Sequence, residues 1–80
     1  MSTHDGILAV LDTHARLSRP AAGLDADDDL YAAGMTSHAS VNVMLALEGE
    51  FDIEFPDRML KRSVFQSIGS INAALEELTS

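Results

Sequence analysis

The stretch Gly34-Met35-Thr36-Ser37-His38-Ala39-Ser40-Val41-Asn42-Val43-Met44-Leu45-Ala46-Leu47-Glu48-Gly49-Glu50-Phe51 decides how this chain folds. Val41, Met44, Leu47 and Phe51 recur at helical spacing and predict one apolar stripe, with Leu45 beside it. A helix from Thr36 to about Phe51 follows. Thr36 is its expected N-cap, because a threonine hydroxyl can accept from an otherwise unpaired amide of the first turn; Ser37 then becomes the first helical residue. Gly49 weakens the last turn, and Pro56 marks an extended or turning segment through Ile53-Glu54-Phe55.

Upstream of this helix the periodicity fails from Ser18 to Met35. Pro20, Gly23 and Gly34 punctuate the segment, Asp25 and Asp27-Asp28-Asp29 are solvated, and Leu24, Leu30 and Tyr31 remain as anchors. A loop this long inside a small domain is often functional, although it also serves as a plain connection between antiparallel helices. Before it, Ile7, Leu8, Leu11 and Ala15 paint one stripe of a first helix, expected from Thr3 to Leu17 with Thr3 or Asp5 as cap and Pro20 enforcing its end.

Downstream, Ser63-Val64-Phe65-Gln66 has the spacing of a capping box and predicts a short helical turn. Ser67 then caps a last helix whose stripe is Ile68, Ile71, Leu75 and Leu78, with Glu76 and Glu77 facing water. The expected fold is all-α: a four-helix bundle with three long helices, one short helix and a long loop between the first two long ones. Its 80 residues hold one core, so the chain reads as a single domain, 1–80.

Composition narrows the function. Thirteen acidic residues against five basic ones give a formal charge of −8, a field that repels nucleic acid backbones and anionic membrane surfaces. The same field attracts basic protein surfaces, or serves solubility alone. A DNA-reading helix-turn-helix would need basic residues on its recognition helix, and the helix after Thr36 has none. Cysteine is absent, so disulfides and thiolate metal sites are excluded and a reducing cytoplasm fits. The N-terminal stretch Met1-Ser2-Thr3-His4-Asp5-Gly6 lacks the basic start of a signal peptide, and no apolar run is long enough to span a bilayer.

The run Gly34-Met35-Thr36-Ser37-His38, then Val41, then Ala46-Leu47-Glu48-Gly49-Glu50-Phe51-Asp52-Ile53-Glu54-Phe55-Pro56-Asp57 resembles, without a gap, the acyl and peptidyl carrier protein family. In that family a Gly-x-Asp-Ser-Leu type motif opens the second helix, and a stretch like ALExEF-x-x-x-x-PD closes it at the distance found here. Each half of the pattern is weak alone; together they are fairly specific. With the loop and the last helix, the resemblance covers nearly the whole chain.

The resemblance implies that Ser37 is the attachment site of 4′-phosphopantetheine, transferred from coenzyme A by a separate phosphopantetheinyl transferase. The position suits a phosphodiester, since free backbone amides and the helix dipole favour negative charge there. It further implies a free-standing, monomeric, cytoplasmic carrier with no reaction of its own. Such a carrier holds an acyl or aminoacyl thioester loaded by a ligase and presents it to a downstream acyl-transfer enzyme. Residues expected to touch these partners are Met35, Thr36, His38, Val41 and Glu48.

Two departures from the family pattern point to specialisation. Thr36 stands where many relatives have Asp, and His38 where they have Leu. The early part of the helix, Ala39 to Asn42, lacks the acids that flank the serine in fatty-acid carriers, while Glu48, Glu50, Asp52 and Glu54 crowd its far end. Partners should therefore grip this chain differently, with amino acids or a modified acyl group as cargo and a dedicated ligase as loader.

Two other readings compete. An unmodified carrier-like adaptor could bind a basic partner, and the unusual Thr36 and His38 support it. A hydrolase using Ser37 and His38 is disfavoured, because neighbours on a helix point about 100° apart and no oxyanion site is evident. The basic cluster Arg58, Lys61 and Arg62 reads as a solvated turn, with docking as a minor alternative.

Overall fold

Apolar spacing in the first segment becomes helix α1, Thr3–His14, which buries Ile7, Val10 and Leu11 and packs against both long helices that follow. The computed structural model describes residues 3–79. The start of the N-terminal stretch, Met1-Ser2, lies outside the described residues. Thr3 and Asp5, each expected to cap α1, both lie inside its first turn, where Asp5 complements the positive end of the helix dipole.

The first helix stops earlier than Leu17. Ala15 still donates to the Leu11 carbonyl at 3.0 Å, but Arg16 turns into the left-handed region with φ of 56° and ends the helix. Termination is therefore set by this reversal three residues before the sequence reaches Arg19 and Pro20. The loop beyond it returns at once to the body: the Ser18 backbone N–H donates to the Ala33 carbonyl at 2.9 Å, and Asp12 Oδ1 accepts from the Ala21 amide at 2.8 Å.

The 18–35 segment is highly organised. Ala21–Gly23 makes one 3-10 turn with Ala21 buried, and Leu24 and Leu30 sink into the core as expected. Tyr31 is half-buried. Two backbone hydrogen bonds stitch the segment to the far end of the molecule, Leu30 N–H to the Gln66 carbonyl at 2.7 Å and Gly69 N–H to the Ala26 carbonyl at 2.9 Å. Gly34 closes the loop with φ of +120°, a conformation that a side chain would strain, and a Cβ there would sit 3.4 Å from the Arg16 carbonyl oxygen.

Helix α2, Ser37–Phe51, starts at the expected residue, but a different face turns inward. Ala39, Val43 and Leu47 are buried, whereas Val41 is 50% and Leu45 54% exposed and Met44 is half-buried. Apolar residues occupy both sides of this helix, so spacing alone admits two stripes. Packing against α1 selects between them. Near the end of α2 the half-buried Phe51 ring covers Gly6, where a Cβ would come within 2.6 Å of the ring tip.

Gly49 does not shorten α2; the helix ends at Asp52, whose amide still donates to the Glu48 carbonyl and whose left-handed backbone (φ 53°, ψ 52°) lets the Ile53 amide turn back to the same carbonyl at 3.1 Å. After Pro56 a second 3-10 turn, Asp57–Met59, buries Met59. Helix α3, Arg62–Phe65, is a single turn that begins before Ser63, with no side-chain cap on Lys61; the Ser63 capping box is not formed. The turn is placed instead by Phe65, which is buried edge-on against Phe55 with ring centroids 5.3 Å apart.

Helix α4, Ile68–Thr79, buries Ile68, Ile71, Ala74 and Leu75 and leaves Leu78 partly covered. Ser67 caps it as expected, accepting from the Ser70 amide at 3.1 Å, while Ser70 Oγ accepts in return from the Ser67 amide at 3.0 Å. This is a capping box in which a second serine replaces the usual Glu. All the α-helices contribute to one buried cluster, and the described residues contain no strand.

Candidate functional site

Thr36 sets the position of the serine that follows it. Its backbone is extended (φ −84°, ψ 166°), and Thr36 Oγ1 accepts from the Ala39 amide at 3.0 Å. The cap hydroxyl is thereby supplied by the residue before Ser37, and the Ser37 hydroxyl is not spent on capping. Thr36→Ala should cost about 1 kcal/mol in a urea titration, and Thr36→Ser should restore most of it.

Ser37 is exposed, and no hydrogen bond engages its Oγ among the described residues. Its carbonyl accepts from Ser40 Oγ at 2.7 Å, so the neighbouring hydroxyl is occupied and half-buried. No acid lies in the first turn of α2. An anion on Ser37 would therefore meet free amides and the positive end of a 15-residue helix, with no carboxylate on that turn to oppose it.

The other expected contact residues divide. Thr36, His38 and Val41 are exposed around Ser37. Met35 is not available: it is 2% exposed, and its amide is tied to the Leu30 carbonyl at 3.0 Å. Its side chain fills the core beneath the loop closure, which corrects the expectation of a surface contact. Glu48 is half-buried, and its carboxylate accepts from the Phe55 amide at 2.9 Å. That carboxylate shapes the turn after α2.

A groove of about 330 Å³ opens beside Ser37, bounded by α2 on one side and by Tyr31, Leu60 and α3 on the other. Val41, Met44, Leu60 and Phe65 supply its apolar surface, and Lys61 and Arg62 its charge. The Arg62 guanidinium lies 3.9 Å from the centre of the Tyr31 ring. In sequence these two cations looked like part of a solvated turn with Arg58. In the fold Arg58 leaves them to pair with Glu77 at 3.1 Å. The signal was their position after Pro56, but nothing local reveals that the turn folds back toward Ser37.

An exposed, unpaired hydroxyl at a helix start, beside a groove with cations and no acids, fits a phosphodiester carried on Ser37. The fold and this site together define a carrier of tethered groups. Residues 10–76 match the family model described as a phosphopantetheine attachment site, and the chain belongs to that carrier-protein family. Its cofactor is covalent 4′-phosphopantetheine, which supplies a thiol able to hold an acyl group as a thioester.

Relatives give the resemblance detail. The chain is 46% identical over 65 residues to an aminoacyl carrier protein of Agrobacterium fabrum strain C58, covering 81% of this chain and 78% of the relative. The fold superposes with a TM-score of 0.92 and 39% identity on a chain from the crystal structure of an engineered Bradyrhizobium japonicum glycine:[carrier protein] ligase with an Agrobacterium tumefaciens carrier protein and ATP. That match covers 96% of this chain and 100% of the other. A second match, TM-score 0.75 at 27% identity over 89% of this chain and 95% of the other, comes from the B. japonicum ligase complexed with glycylated carrier protein.

Proposed function

We propose that this chain carries an amino acid as a thioester on 4′-phosphopantetheine esterified to Ser37. An amino acid-activating ligase loads it, and a downstream acyl-transfer enzyme receives the cargo. The observation that carries the reading is the exposed, unengaged Ser37 hydroxyl at the first turn of an α2 whose cap is provided by Thr36. In priming, Ser37 Oγ gives up its proton and forms a bond to the phosphorus nearer the pantetheine of coenzyme A. The pyrophosphate bond breaks, and the nucleotide bisphosphate leaves. A separate transferase catalyses the step.

The choice of amino acid over fatty acyl cargo is supported by the aminoacyl carrier relative and by solved carrier complexes with a glycine ligase. It also agrees with the uncharged start of α2, where a fatty-acid carrier presents acids. His38 is exposed beside Ser37 and suits a partner contact better than a base, so the chain itself acts as cargo holder and not as enzyme. Residues 1–80 are read as one monomeric carrier domain working in the cytoplasm. No described helix is long and apolar enough to cross a membrane.

Loading tests the reading directly. Holo-protein incubated with ATP, glycine and a glycine:[carrier protein] ligase should gain one glycyl group, removable by hydroxylamine as a thioester is. Malonyl loading and elongation by general fatty-acid enzymes with no aminoacylation would overturn the aminoacyl assignment.

A further inference from the structure

The chain carries thirteen acidic and five basic residues, yet the groove beside Ser37 is lined by two of the five, Lys61 and Arg62, and by no acid. Elsewhere Arg19 is engaged with Asp28 at 3.7 Å and Arg58 with Glu77 at 3.1 Å, and Arg16, at the reversal after α1, stands apart from this groove. Lys61 and Arg62 meet no carboxylate within salt-bridge distance among the described residues. On so acidic a surface two adjacent unpaired cations are an inversion of the local field, and it falls next to the residue that takes on a phosphodiester.

We propose that Lys61 and Arg62 hold the phosphodiester of the Ser37-linked arm, so that the arm's first segment rests on this chain against Val41, Met44 and Leu60 before a partner withdraws it. The inference rests on Ser37 as the attachment point and goes beyond it by assigning the arm's resting position.

The chemistry of the two residues is complementary. Arg62 is oriented by the Tyr31 ring at one face, which leaves the guanidinium edge and its N–H donors for phosphate oxygens. Lys61 is a mobile point charge at the extended residue before α3, exposed and able to follow the phosphate as the arm moves. Their apolar neighbours are themselves exposed, Val41 at 50% and Leu60 at 48%, and a resting arm would cover both. The charge fits the phosphate end of the arm and not an aminoacyl ammonium at its far end. A charged cargo is therefore directed away from the groove, toward solvent or a partner.

The test compares amide NMR spectra of the apo- and holo-proteins, after intact mass has confirmed one arm on Ser37. Shifts are expected at Leu60, Lys61 and Arg62 and at Val41, as well as at Ser37 and its immediate neighbours. Raising the ionic strength toward about 1 M, where the screening length falls to roughly 3 Å, should collapse the 60–62 shifts. Lys61→Gln combined with Arg62→Gln should abolish them and move the ³¹P resonance of the holo-protein. Both side chains are exposed, so circular dichroism should be unchanged, and the salt titration on the unaltered protein needs no variant. Shifts confined to Ser37 and its neighbours on α2, or a ³¹P resonance indifferent to the double variant, would overturn the proposal and leave the cations to a protein partner. No arm on Ser37 at all would be seen first by mass, and would remove the attachment reading and this inference together.

Discussion

Ser37→Ala is expected to eliminate modification entirely: after expression with a broad-specificity phosphopantetheinyl transferase, intact mass should show one added arm on the unaltered protein and none on the variant. The neighbouring Ser40→Ala should still be modified. The two serines differ in what their hydroxyls already do. Ser40 Oγ donates to the Ser37 carbonyl at 2.7 Å and is half-buried, whereas Ser37 Oγ is exposed and engaged by nothing among the described residues. Only the latter can enter a transferase without first breaking a contact.

Stability separates loss of the attachment point from loss of the fold. Ser37 does not cap α2, since Thr36 does, so Ser37→Ala should change unfolding free energy by no more than about 0.5 kcal/mol. An arm that persisted in Ser37→Ala, or that appeared on Ser40, would mean that the helix start had been aligned wrongly with the family motif.

The largest effect on stability is expected at Leu47. It is 0% exposed on the face of α2 that includes Val43, and Leu47→Ala should cost about 2–5 kcal/mol from lost burial plus the cavity left behind. Small domains have little margin, since typical unfolding free energies are about 5–15 kcal/mol. A urea titration of the variant should therefore show a midpoint displaced far below that of the parent, with the slope retained. Val41→Ala supplies the contrast. Val41 is 50% exposed, and the same experiment should find a change small beside that of Leu47. Equal losses at the two positions would mean that α2 packs on the Val41 face.

These two positions mark the boundary of what could be read from the chain. Existence of α2, its cap at Thr36 and its first residue at Ser37 were legible because a cap is a local device: one hydroxyl, one amide, three residues apart. The inward face was not. Val41-Met44-Leu47-Phe51 and Ala39-Val43-Leu47 are both helical stripes, and they share Leu47. Choosing between them depends on where α1 lies, which no property of α2 states.

The same division explains Met35 and Glu48. Both looked like surface contacts by their place beside the motif, and both were recruited by residues distant in the fold or across a turn. Met35 fills space under the loop that Leu30 closes, and Glu48 satisfies the Phe55 amide seven residues on. Lys61 and Arg62 are exposed, as a solvated-turn reading has them, but their surroundings were not legible. They read as solvated turn residues, and the return of the chain after Pro56 brings them to the groove beside Ser37.

By itself the sequence determined the all-helical class, the long punctuated loop, the caps at Thr36 and Ser67, and the place of Ser37 at the first turn of α2, because each is written in periodicity or in contacts within a few residues. Only the tertiary structure decided which stripe of α2 is buried, that Met35 belongs to the core, and that two cations share a groove with Ser37. Those outcomes are set by packing between segments far apart in the chain, where burial favours whichever face meets another apolar surface and local spacing has no vote.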